Sequence, residues 1–319
     1  MNANSLQHFH LAKAFHLISY LFLLLFSTSS FALDTICNPP GCKVYNIANP
    51  TDGVNLVVND WGAATPNKPA ILLLAGFPHN QEFWINQINS PLRAKYRIIT
   101  MDWRGMGLSG KTTSLYTPQL FADDIKQVLS QLNVNKVVIV GHSAGGEVLQ
   151  SYVTTYPSAM IKGIVFVDST LLKPEFVTTY ITPDALNLIG AGAFAPLTPD
   201  QFVGVNQSFL TLSTLAPLDP GMNNFLLSKD LLVPQAVRAA LLSSRGNLDI
   251  SLSNVTAKTL IIWGQNDAVV SVSAANYIHS LIPNNSKVAI LPNTGHLPMI
   301  EKPIAFNILL GTFLTSINY

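Results

Sequence analysis

Residues 136–145 read Lys136-Val137-Val138-Ile139-Val140-Gly141-His142-Ser143-Ala144-Gly145, and this stretch decides the fold. The apolar run from Val137 to Val140 has the length and composition of a buried strand. Beyond Gly145 the spacing turns helical, with Val148, Leu149, Tyr152 and Val153 on one stripe before Pro157. A serine therefore stands where a strand bends directly into a helix. So sharp a turn strains the serine backbone and lifts its hydroxyl clear, open to a base on one side and a substrate carbonyl on the other. Gly141 and Gly145, two residues to either side, remove Cβ atoms that would collide in the turn. The pattern is that of a nucleophile elbow.

Outward from the elbow, Val54–Val58, Ala70–Leu74, Arg97–Met101, Ile164–Val167, Thr259–Trp263 and Lys287–Leu291 also read as strands. Between them, Thr117 caps a helix that has Pro118 in its first turn. Its apolar stripe is Phe121, Ile125, Val128, Leu129 and Leu132. Strands alternating with helices predict an α/β fold with a mostly parallel, doubly wound sheet. The alternation breaks over 173–254, an apolar stretch rich in proline, read as a helical cap inserted between two strands above the sheet's carboxyl ends. The core is then 33–172 and 255–319.

Residues 1–32 read as an export signal. Lys13 precedes an apolar run from Leu17 to Phe26, and Ser30-Phe31-Ala32 suits cleavage after Ala32. The run is shorter than the ~20 residues a spanning helix needs. The expectation is a secreted or periplasmic protein with no integral membrane span once the signal is removed. Cys37 and Cys42 flank Asn38-Pro39-Pro40-Gly41, which in an oxidising compartment favours a small disulfide loop.

The chain has 319 residues, 48% of them hydrophobic and 11% charged, with a net charge of +1. That balance leaves no basic face for nucleic acid. The run Gly105-Met106-Gly107-Leu108-Ser109-Gly110 satisfies G-x-G-x-x-G, but no helix opens after it and no acid ends the next strand. With no P-loop, H-E-x-x-H or cysteine–histidine metal spacing either, no cofactor and no metal are expected.

A serine hydroxyl needs a base to take its proton. Beyond the signal the histidines are His79, His142, His279 and His296. His142 should point away from Ser143 at a tight turn, His279 sits in a helical pattern, and His79 could line a pocket. His296 lies in Asn293-Thr294-Gly295-His296-Leu297-Pro298, just past the last strand, where a base faces the carboxyl ends of the others. The carboxylate that would hold its tautomer is Asp267, in Trp263-Gly264-Gln265-Asn266-Asp267. Asp168, after Val167, is the alternative acid.

Together these pieces resemble the α/β-hydrolase family over nearly all of the mature chain. The supporting motifs are Leu74-Ala75-Gly76-Phe77-Pro78 with Trp84, Asp102-Trp103-Arg104-Gly105-Met106-Gly107-Leu108-Ser109, the elbow, Gly264–Asp267 and Gly295-His296. The resemblance implies catalytic Ser143, Asp267 and His296, with the oxyanion held by the Phe77 and Ala144 amides. Many relatives have a histidine before Gly76; here Ala75 stands there, which leaves the support of that loop in question. The expected activity is hydrolysis of small carboxylic esters through an acyl-enzyme, with an apolar acyl group held by the insertion. Ser143 in place of an elbow aspartate speaks against epoxide hydrolase or haloalkane dehalogenase chemistry. Gly145-Gly146-Glu147-Val148 looks similar to cofactor-free haloperoxidases, which act as perhydrolases. Carbon–carbon bond hydrolysis, or a non-catalytic ligand-binding role on the same scaffold, are the remaining alternatives.

Overall fold

The computed structural model describes residues 37, 42–113, 116–244 and 248–319. The expected export signal at 1–32 lies outside them. Among the described residues no helix is long and apolar enough to cross a membrane. Both cysteines, Cys37 and Cys42, are in disulfide form.

Eight strands form one sheet: β1 (Lys43–Ala48), β2 (Asn55–Asp60), β3 (Ala70–Leu74), β4 (Arg97–Asp102), β5 (Val137–His142), β6 (Ile161–Val167), β7 (Lys258–Gly264) and β8 (Ser286–Leu291). Their order is β1-β2-β4-β3-β5-β6-β7-β8. The β1–β2 and β2–β4 pairs are antiparallel, and all pairs from β4 to β8 are parallel. Every residue of β3, β4 and β5 is buried, which is why those segments read as nearly continuous apolar runs. Helices flank the sheet: Pro118–Gln131 packs on Gly145–Thr155, and Ser273–Leu281 on β7 and β8. β1 carries no clean alternation, and sequence analysis passed over it.

The chain steps from β3 outward to β4, then returns across β3 to β5. The loops leaving β3 and β5 therefore part at the point where the winding reverses, where open α/β sheets place their ligands. Those are the Gly76-Phe77 loop and the Ser143 elbow.

Among the described residues between β6 and β7 there are five helices: Pro174–Tyr180, Pro183–Phe194, Pro199–Leu212, Pro220–Asp230 and Gln235–Ser244. Four begin with proline, whose fixed φ suits the first turn and whose missing N–H costs nothing there. Thr182, Thr198 and Asp219 accept from first-turn amides, Thr198 in a reciprocal capping box with Gln201. The abundance of proline in this stretch thus marks helix starts.

Candidate active site

Ser143 follows the last residue of β5 and takes a φ of +49°, a left-handed conformation that side chains other than glycine rarely adopt. Three glycines make the turn possible. A Cβ on Gly141 would sit 2.6 Å from the Gly145 carbonyl oxygen, and one on Gly145 2.5 Å from that of Leu74. A Cβ on Gly76 would sit 2.6 Å from the Ser143 Cβ, so only glycine lets the β3 loop approach the serine. The Ser143 N–H donates to Val167 O at 2.9 Å, and its carbonyl accepts from Gly146 and Thr170. The strained residue is held by β6, by the loop that follows it and by the helix that the elbow opens.

His296 and Asp267 come together. His296 Nδ1 lies 2.8 Å from Asp267 Oδ2, both side chains fully buried. Asp267 Oδ1 accepts from the Val269 and Val270 amides at 2.8 and 2.9 Å, so three donors surround the carboxylate. Nδ1 of His296 thus carries the proton, and Nε2 presents a bare lone pair, buried without a partner.

Two contacts fix the His296 loop that sequence analysis missed. The His296 amide donates to Ser213 O of the inserted segment at 2.9 Å. Glu301 accepts from the Gly295, Leu297 and Leu215 amides at 2.9, 3.3 and 2.8 Å, and burial raises its carboxyl pKa. Its position in the first turn of Pro298–Glu301, where an acid can reach back to free amides, is the signal that could have found it.

Asp168, at the end of β6, also has a left-handed φ, +42°. Its Oδ1 accepts from the Gly264 amide at 2.8 Å, and Oδ2 is buried with no donor. Asp168, Asp267 and His296 bring one side-chain oxygen or nitrogen each within 4.8 Å of the others. Burial first, then the adjacent Asp267 charge, raise the Asp168 carboxyl well above its ordinary range.

The other histidines have different places. His142 Nε2 donates to His296 O at 2.9 Å, its ring centroid 4.8 Å from that of His296, so it braces the loop opposite. Burial, with His296 and His79 nearby, holds its pKa well below the usual value. His79 Nδ1 pairs with Asp230 of the inserted segment at 2.8 Å, with both side chains fully buried. His279 bonds Ser286 Oγ at 2.7 Å, away from this cluster.

Phe77 and Ala144 line a chamber of about 20 Å³ at Ser143, with Thr170, Ile181, Ile189, Phe209, Val269 and Val270. Among the described residues neither the Phe77 nor the Ala144 amide has an acceptor. The loop with Ala75 is braced from β4: Trp103 Nε1 donates to Ala75 O at 2.8 Å, and Asp102 Oδ1 accepts from the Gln81 amide at 2.8 Å. Asp102 Oδ2 takes the Leu108 amide at 2.8 Å. Gly105 and Gly107, with φ of +84° and +45°, wrap Tyr116 and Asp102, so the chain's own side chains fill that glycine-rich turn.

Beside the Ser143 chamber lies a second cavity of about 510 Å³, lined mainly by apolar residues including Leu171, Val177, Leu186 and Phe194. Ile181 and Ile189 line both spaces.

A family profile described as "alpha/beta hydrolase fold" matches residues 69–303. The chain is 26% identical over 305 residues to "Epoxide hydrolase 4" of Homo sapiens, covering 87% of this chain and 82% of that protein. It is 24% identical to "Non-heme chloroperoxidase CPO-A1" of Kitasatospora aureofaciens, covering 78% of this chain and 91% of that one. The solved structure of a putative aryl esterase from Burkholderia cenocepacia superposes with a TM-score of 0.75 at 28% identity, over 86% of this chain and 99% of that one.

Proposed function

The chain belongs to the alpha/beta-hydrolase fold family, and from that premise we propose that it is an exported serine hydrolase cleaving carboxylic esters with apolar acyl groups. One observation carries the reading. His296 is tied through Nδ1 to Asp267 at 2.8 Å while its Nε2 stays buried and unpartnered, and the elbow serine stands at φ +49°.

In this reading the Ser143 hydroxyl attacks the ester carbonyl and His296 Nε2 takes its proton. Asp267 stabilises the resulting imidazolium, and the proton then passes to the departing alcohol. The Phe77 and Ala144 amides hold the tetrahedral oxyanion, each worth about 3–4 kcal/mol where such donors have been removed elsewhere. Water, activated by the same imidazole, cleaves the acyl-enzyme. A chamber of about 20 Å³ holds roughly one water. An ester therefore enters only when Ile181 or Ile189 yields, and its acyl group then extends into the apolar 510 Å³ cavity.

The epoxide hydrolase relative does not set the activity, because a serine occupies the elbow here. The chloroperoxidase relative favours a second reading, perhydrolysis, in which hydrogen peroxide replaces water at the acyl-enzyme.

The purified mature protein should react with a fluorophosphonate at Ser143 and hydrolyse short p-nitrophenyl esters. His296→Ala should lower kcat by at least ~10³-fold. A folded wild type that stays unlabelled would hand the case to the ligand-binding alternative. Peracid formation assayed alongside separates the two catalytic readings. Secretion should leave an N-terminus at Leu33, read by mass spectrometry; a retained residue 1–32 segment would refute export.

A further inference from the structure

Two buried carboxyl groups lie beside one histidine, and they are not equivalent. Asp267 has three donors: two backbone amides and His296 Nδ1. Asp168 has one, the Gly264 amide on Oδ1, and its Oδ2 is buried with no donor to accept from. A buried oxygen in that position costs free energy unless it is itself the donor. Only protonation makes it one, and the neighbouring acceptor is the Asp267 carboxylate, an oxygen of which lies within 4.8 Å of an Asp168 carboxyl oxygen.

We propose that Asp168 is a positioning residue that stays protonated and donates its hydrogen bond to Asp267, holding that carboxylate toward His296. The proposal rests on the assignment of Ser143, His296 and Asp267 made above.

The surroundings agree. The charged or titratable groups that face Asp168 are Asp267, His296 and, at longer range, Glu301; two of the three are acids that oppose a second negative charge. Two adjacent carboxylates cut off from water do not both ionise, and the one with more donors keeps the charge. The backbone supports the arrangement too. The Asp168 amide donates to Ile262 O at 3.0 Å, and its carboxyl accepts from the Gly264 amide, so β7 holds both the backbone and the carboxyl group of this residue. The left-handed φ of +42° turns it in at the strand end. A Brønsted acid at this point disperses part of the Asp267 charge. It also blocks the carboxylate from turning away from the imidazole.

The test compares Asp168→Asn with Asp168→Ala. Asparagine keeps an acceptor for the Gly264 amide and an N–H to give Asp267, so it should hold kcat/KM within about threefold. Alanine removes the donor and should cost roughly tenfold, the rate equivalent of one lost hydrogen bond. It should also move the acid limb of the kcat/KM profile to higher pH, because Asp267 then holds its full charge against the imidazole. Asp267→Asn should cost about 10⁴-fold. A loss of that size in Asp168→Asn would make Asp168 the ionised partner and overturn the proposal. An Asp168→Ala variant with unchanged rate and limb would reduce the residue to packing.

Infrared difference spectra of wild type minus Asp168→Asn at neutral pH need no substrate and read the proton directly. The C=O stretch of a protonated carboxyl group is expected, and a carboxylate band in its place would overturn the assignment. That measurement stands even where esterase activity fails, so the two failures are distinguishable.

Discussion

At Asp168 the raised carboxyl pKa has a consequence for stability whose sign follows from linkage. The folded state holds a proton that the unfolded chain releases above about pH 3.9. The contribution of this group is fully present below that pH and is lost as pH rises through the folded-state value. Asp168→Asn has no proton to lose. The stability difference between variant and wild type should therefore shift toward the variant by about 1.4 kcal/mol per pH unit across that window. Urea unfolding at several pH values measures it, and parallel curves would refute it. At Ser143 the same left-handed backbone is strained, and the flanking glycines make room for it, because a Cβ at either would collide with nearby backbone.

Two elements carry the approach to the serine. The β3 loop carries Ala75 before Gly76, and residues at the end of β4 brace it, Trp103 donating to Ala75 O and Asp102 accepting from the Gln81 amide. Trp103→Phe would leave the Ala75 carbonyl buried without a donor, at a cost of about 1–3 kcal/mol. Lower kcat with little change in KM is expected, because the loop's amide matters most in the transition state. Equal losses in binding would contradict that role. The second element is Pro183–Phe194, whose Ile189 separates the serine chamber from the larger cavity. Ile189→Ala should raise kcat/KM for hexanoyl or octanoyl esters over acetyl esters by roughly tenfold. An unchanged chain-length profile would place the acyl group elsewhere.

Across the molecule, the inserted helices are tied to the β3 loop and to the loop that carries His296. His79 in the β3 loop pairs with Asp230, the His296 amide binds Ser213, and Glu301 reaches Leu215. Arg238 adds its guanidinium to Asp230 O and lies over the Phe77 ring at 5.7 Å, and burial lowers its pKa to about 10. Any movement of the insertion is thus felt at both the Phe77 loop and the His296 loop. Asp230→Ala would strip a fully buried His79 nitrogen of its partner, costing about 1–3 kcal/mol. A lowered Tm with increased protease cutting in 173–254 is expected. A fall in Tm without that localised cutting would show that the pair supports the core instead.

The sequence by itself marked seven of the strands, because strands buried on both faces have no choice but continuous apolar runs such as Ala70–Leu74 and Val137–Val140; β1 and the strand order came only from the structure. It also singled out Ser143, since glycines at 141 and 145 mark a turn that only small residues survive. The candidates His296 and Asp267 were legible from their places after strands. Asp267 was the favoured acid and Asp168 the alternative, but both end parallel strands and chain order suits either. Only the tertiary structure decided between them, by bringing two amides to Asp267 and one to Asp168 and setting the histidine 2.8 Å from the former. The histidine contact joins residues 29 apart and the Gly264 contact to Asp168 joins residues 96 apart, and no local pattern of residues records such distances.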